Sequence, residues 1–239
     1  MKLVNLLILA LVIIFSAGCQ NMQMVPSSNS IPAEFSSIKM KVTGISGWLH
    51  DTNISFGEYE ALDMERGWTK ASNAFFFPSI NVDTEKSKQT YFKQKSFDGS
   101  EAKVYLLEEC SRQGIEISRL AIDDTQSKHT FTGKIIPDKQ SDNVWEFIKS
   151  VDEETTTTSV TDKIGNEIII DGNNLFIDTK IVAGFRTGVV VKTWHPTVEY
   201  VWIKDDMSAE IKLILSALIT TFMGRQEISC SSENSNLLL

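Results

Sequence analysis

From residue 38 onward the chain is cut by turn clusters at intervals that suit strands and leave no room for helices between them. Residues 90–97 and 102–109 flank Asp98-Gly99. Glycine and aspartate accept the positive φ that tight hairpin turns demand. Residues 168–170 and 175–181 flank Asp171-Gly172-Asn173-Asn174, and residues 188–193 and 198–203 flank Trp194-His195-Pro196-Thr197. Residues 115–122, 129–136 and 144–150 alternate at period two, with Phe131, Ile135, Trp145 and Phe147 in the apolar phase. Strands joined by turns pair antiparallel. The expected fold is mainly β: an antiparallel sheet, sandwich or partly open barrel, with one C-terminal α-helix packed on it.

That helix is the one break in the pattern. Over residues 208–223, Ile211, Ile214 (or Leu215), Leu218 and Phe222 recur on one face, with Lys212, Ser216 and Thr220 as a narrow polar stripe. Asp205 and Asp206 precede it, and Gly224 and Arg225 follow, as the helix dipole and a glycine C-cap require. Its wide apolar face suits packing across the open face or end of the sheet. Residues 153–159, Glu-Glu-Thr-Thr-Thr-Thr-Ser, read as an exposed connection or edge strand. A subdivision of the domain near 153–160 is the alternative to one continuous unit.

The start of the chain carries an address. Met1-Lys2 leads into an apolar run over residues 3–15, which closes on Ser16-Ala17-Gly18-Cys19. This resembles a bacterial lipoprotein signal; Ser16 stands where that pattern usually has leucine. The resemblance implies cleavage before Cys19, lipid on its sulfur and a site of action outside the cytoplasm. Gln20, in place of the aspartate that retains such proteins in the inner membrane, implies the outer membrane, facing either the periplasm or the cell surface. The competing readings are a plain secretory peptide and an uncleaved anchor. The latter is short of the ~20 residues that span a bilayer, and Asn5 interrupts it. The organisation expected is a signal peptide (1–18), a flexible tether (19–37) with Pro26 and Pro32, a β-rich domain (38–228) and a disordered tail (229–239).

The net charge of the whole chain is −8, and the leader holds one lysine and no acid, so its removal makes the remainder more negative. Such a chain is a poor ligand for nucleic acid. With Cys19 assigned to lipid, Cys110 and Cys230 are left. In an oxidising compartment they either bridge or stand as two thiols. A bridge closes a loop of about 120 residues and stabilises by roughly 4–5 kcal/mol in the chain-entropy description.

Motifs for chemistry are sparse. His50, His129 and His195 have no metal-ligand spacing, and neither a nucleophile elbow nor a phosphate loop occurs. No cofactor or metal is expected. Residues 47–69 are the densest unusual stretch. Trp48 and Trp68 there could line a groove for a glycan or peptide, with Arg66 recognising a carboxylate. In the competing reading both tryptophans cap the core and Arg66 pairs with Asp63 or Glu65. Phe75-Phe76-Phe77-Pro78 must place aromatics on both faces of any strand it forms. The function expected is a lipid-anchored envelope module that binds another envelope protein or glycan. The alternatives are an envelope hydrolase, with Asp51, Asp63 and Glu65 as its first carboxylates, and a surface adhesin or secretion-apparatus part.

Overall fold

The computed structural model describes residues 39–44, 53–77, 80–113, 116–117, 120–121, 126–140, 142–150, 157–186, 200–225 and 228. The leader, the tether, Cys19, Trp48, His50, Asp51, His195, Cys230 and the tail lie outside the described residues. The strands are β1 (Met40–Thr43), β2 (Ile54–Phe56), β3 (Tyr59–Arg66), β4 (Lys70–Phe77), β5 (Ile80–Ser96), β6 (Glu101–Gln113), β7 (Glu116–Ile117) and β8 (Leu120–Ala121). They continue as β9 (Gln126–Pro137), β10 (Trp145–Ser150), β11 (Thr157–Thr161), β12 (Glu167–Asp171), β13 (Asn174–Ile177), β14 (Lys180–Arg186) and β15 (Tyr200–Ile203). One α-helix, α1 (Ala209–Met223), follows.

Two of the three expected turns fall where the sequence placed them, and the third, Trp194-His195-Pro196-Thr197, lies outside the described residues. Gly99, at φ 81°, reverses the chain between β5 and β6, and Gly172, at φ 56°, does so between β12 and β13. All pairings are antiparallel. Twelve strands form a ring in the order β3-β2-β1-β15-β14-β13-β12-β11-β10-β9-β6-β5, and β5 returns to β3 to close it. Of the forms expected, the chain therefore takes the barrel, closed where the expectation had it partly open. β5, at 17 residues, outruns both of its ring partners, β6 at 13 and β3 at 8. Beyond the ring, β4 pairs with β5 where β3 leaves off: Arg66 stands opposite Thr90, and Lys70 opposite Ser87. Gly67 bridges the two, its N–H donating to the Gln89 carbonyl at 2.8 Å.

The period-two alternation sorts the wall into two faces. Phe92, Val104, Leu106, Phe131, Ile135, Trp145, Phe147, Val160, Ile168 and Leu175 are buried. Their neighbours Lys93, Lys103, Lys134, Glu146, Ser159 and Glu167 occupy the alternate, outward phase. Membrane-spanning barrels carry the opposite arrangement, with an apolar band outside. No described helix is long and apolar enough to cross a bilayer. The stretch read as an edge strand is corrected at its end. Thr157–Thr161 is β11, paired on both sides, with Thr158 buried.

A small barrel is filled by its own side chains, but twelve strands leave a wider lumen. Here α1, a cylinder of ~10–12 Å, fills it. Residues 213–221 are buried without a break, on every face of the helix. The helix contacts β3, β5, β6 and β9 in one sector of the ring and β14 and β15 in another. The expected position across an open face or end is thus replaced by one inside the sheet, because the sheet has closed. The polar stripe is buried too: Thr220 donates to Gln94 Oε1 at 2.9 Å, and Ser216 to the Leu213 carbonyl at 2.8 Å. Ser208 caps the N-terminus by accepting from the Ile211 N–H, and Gly224 ends the helix by donating to the Thr220 carbonyl.

Candidate functional site

The lumen being full, a concavity among the described residues lies on the outer wall. It is an open trough of about 930 Å³ across β3, β5, β6, β9 and β10. Strand register builds it from two rows. In the first, Glu65 stands opposite Tyr91, Tyr91 opposite Tyr105, Tyr105 opposite Lys134, and Lys134 opposite Glu146. In the second, Gln89, Leu107, Thr132 and Ile148 are successive cross-strand neighbours. The two rows are adjacent on one face because residues two apart on a strand point the same way.

Tyr91 and Tyr105 form an aromatic pair, with ring centroids 5.0 Å apart and planes tilted by 42°. Tyr105 is 44% exposed and Ile148 75%. At the margin, Lys134 and Glu146 pair at 2.7 Å, and the Thr132 hydroxyl donates to the Leu107 carbonyl at 3.3 Å. Along the same strands the face continues into a smaller depression of about 460 Å³ edged by Lys70, Glu85, Glu109 and Lys128.

Beneath the trough the inner face carries a buried polar cluster. Glu108 Oε1 accepts from His129 Nε2 at 2.8 Å and from Arg225 Nη2 at 2.7 Å. The Arg225 guanidinium lies 4.5 Å over the Phe131 ring. Lys88 faces Glu108 from β5, directly across the ladder. Burial, and then the charge of Arg66, hold the Lys88 ammonium below its ordinary range. The cluster thus fixes the C-terminal end of α1 to the barrel wall.

The residues singled out from sequence fall in different places. Arg66 is half-buried and borders the trough, and burial lowers its pKa. Trp68, one residue past the trough-lining Gly67, is 93% exposed and caps no core. Asp63 pairs with Lys93 at 3.2 Å and not with Arg66. The cause is a bulge: the register slips between Leu62 and Glu65, and Asp63 takes φ 55°. Glu65 lines the trough and shares its row with Glu146, but four strand spacings separate them, about 19 Å along the sheet. Paired glycosidase carboxylates stand ~5–9.5 Å apart. His129 is buried against Glu108. Among the described residues no group of His, Cys, Asp and Glu could hold a metal ion. Cys110 is buried and disulfide-bonded; Cys230, its expected partner, lies outside the described residues.

Sequence reasoning missed Tyr91, Tyr105, Lys134, Glu146 and Ile148. A signal for three of them exists: each is a large apolar or aromatic residue in the outward phase of its strand. The fold and site together define a closed antiparallel barrel with a helix-filled lumen and an aromatic trough on its outer wall. Compared with known proteins, the chain matches no family model, no curated protein and no solved structure.

Proposed function

We propose that this protein is a lipid-anchored module of the bacterial cell envelope that binds a partner along the outer trough. The observation that carries the binding role is the outward set Tyr91, Tyr105, Leu107 and Ile148, gathered in a concavity of about 930 Å³. The leader's resemblance supports the anchor, and the disulfide at Cys110 supports an oxidising compartment. Two acyl signals already hold a protein stably on a membrane. Tethering confines the barrel to a thin shell and raises its effective concentration near envelope partners.

Metabolic labelling with a fatty-acid analogue tests the anchor. The wild type takes up label, and Cys19→Ala abolishes uptake and releases the domain into the soluble fraction. A mature protein whose Cys19 is bare, or which retains its leader, overturns the assignment. A photo-crosslinking residue at position 148 tests the trough in the same cells. A saturable adduct there, absent when the crosslinker replaces exposed Lys180 on β14, across the ring, supports it; equal background at both positions refutes it.

A further inference from the structure

We infer that the trough's ligand is a neutral glycan built of pyranose rings, seated on the Tyr91–Tyr105 pair. The inference rests on the binding-module reading above and names the ligand for it. Backbone chemistry comes first. At the floor of the trough β5, β6 and β9 each have partners on both sides. Their amides and carbonyls are spent in the ladder, so the floor offers a peptide strand no edge to extend. What remains for hydrogen bonding is side chains, and these mix donors with acceptors: Glu65 and Gln89 at one end, Thr132, Lys134 and Glu146 at the other. A sugar hydroxyl both donates and accepts, and finds both kinds of partner here.

The floor completes the match. A pyranose ring has an apolar C–H face with polar substituents around its rim. Tyrosine offers the complementary surface, an aromatic body with a polar tip. Two adjacent tyrosines, extended by Leu107 and Ile148, make a platform longer than one ring. The volume of about 930 Å³ suits an oligosaccharide stretch more than a monosaccharide. Charge narrows the class further. The trough sets Glu65 and Glu146 against Arg66 and Lys134, so its own charges balance, while the whole chain is acidic. A polyanionic glycan finds no cationic excess there and meets the repulsion of the chain's net charge.

The test is co-sedimentation of the full chain in detergent micelles with chitin, cellulose and insoluble starch. Polygalacturonate serves as the anionic comparison. The wild type is expected to be retained by at least one of the first three and not by polygalacturonate. Tyr105→Ala and Tyr91→Ala should each weaken retention about tenfold or more. Phe97→Ala, which removes an exposed aromatic from the β5–β6 turn, should leave it unchanged. Unfolding midpoints measured on the same samples separate lost binding from lost fold. Retention by none of the three, preference for polygalacturonate, or retention indifferent to Tyr105→Ala overturns the glycan assignment. A photo-crosslinker at position 105 then distinguishes the two readings. A saturable protein adduct without glycan retention removes the glycan and keeps the binding module; neither adduct nor retention removes both.

Discussion

Glu108 is the residue whose loss best tests how the barrel holds its helix. Its Oε1 accepts two charge-assisted hydrogen bonds, at 2.8 Å from His129 and 2.7 Å from Arg225, and the three side chains are only 5–10% exposed. Removing one partner of a buried ion pair costs about 3–5 kcal/mol, because the other charge keeps its desolvation penalty. That is the expected loss for Glu108→Ala. Glu108→Gln keeps the shape and one acceptor but not the charge, and should cost about 1.5–3 kcal/mol. The control is Glu146, whose bond to Lys134 has the same 2.7 Å length but side chains 53% and 62% exposed. Water screens that pair, so Glu146→Ala should cost under about 1 kcal/mol. Urea unfolding of the full chain reads all three, with the buried Trp145 and Trp202 as fluorescent reporters. A double-mutant cycle of Glu108→Gln with Arg225→Met should give a coupling of about 1–3 kcal/mol. Equal costs at positions 108 and 146, or a coupling near zero, would refute the argument that burial decides the strength of these pairs.

Three further outcomes follow from other parts of the fold. A Cβ at Gly133 would stand 2.1 Å from the Phe147 ring, which is wedged between Phe131 and Phe222, so Gly133→Ala should destabilise by about 1–3 kcal/mol in the same assay. In the β5–β6 turn, the Ser96 hydroxyl and then the backbone and hydroxyl of Ser100 lower the Asp98 pKa from 3.8 to about 2. A depressed carboxylate stabilises above its unfolded pKa and loses that effect as pH falls through its folded one. The stability gap between wild type and Asp98→Asn should therefore be full at neutral pH, narrow below pH 3.8 and close below about 2; a gap that persists in acid contradicts it. Peptide mapping without reductant should recover Cys110 joined to Cys230, and recovery of Cys110 with any other thiol would break that assignment.

How much of this was legible in the residues differs by level. The turn chemistry was plain: Asp98-Gly99 and Asp171-Gly172 sit at reversals of the chain, and the alternation through Phe131, Ile135, Trp145 and Phe147 gave the buried face. Closure was not. Whether twelve strands lie as a sandwich or curl into a ring depends on which distant strands meet, and the contact that closes this ring, β3 with β5, joins segments that no local pattern marks as partners. The helix followed from closure. Ser216 and Thr220 looked like a solvent stripe because a surface helix usually has one. In a lumen the same groups find Gln94 and the Leu213 carbonyl, and the periodicity that suggests one apolar face describes a rod wrapped on all sides.

The plug also decides where a ligand can go. A wide barrel commonly offers its interior as the binding cavity. Here Leu213 through Thr221 occupy that space, which leaves the outer wall. An outer wall acquires a site only where residues in the polar phase break ranks together. Tyr91, Tyr105, Leu107 and Ile148 do so on three different strands, spread over nearly sixty positions of sequence. Each alone is an ordinary exposed apolar residue. Only the register, which sets Tyr91 against Tyr105 and Thr132 between Leu107 and Ile148, turns four isolated exceptions into one surface. The trough is thus a property of strand pairing. Shifting β6 by one residue against β5 would send Tyr105 to the core and destroy the platform without changing a single side chain.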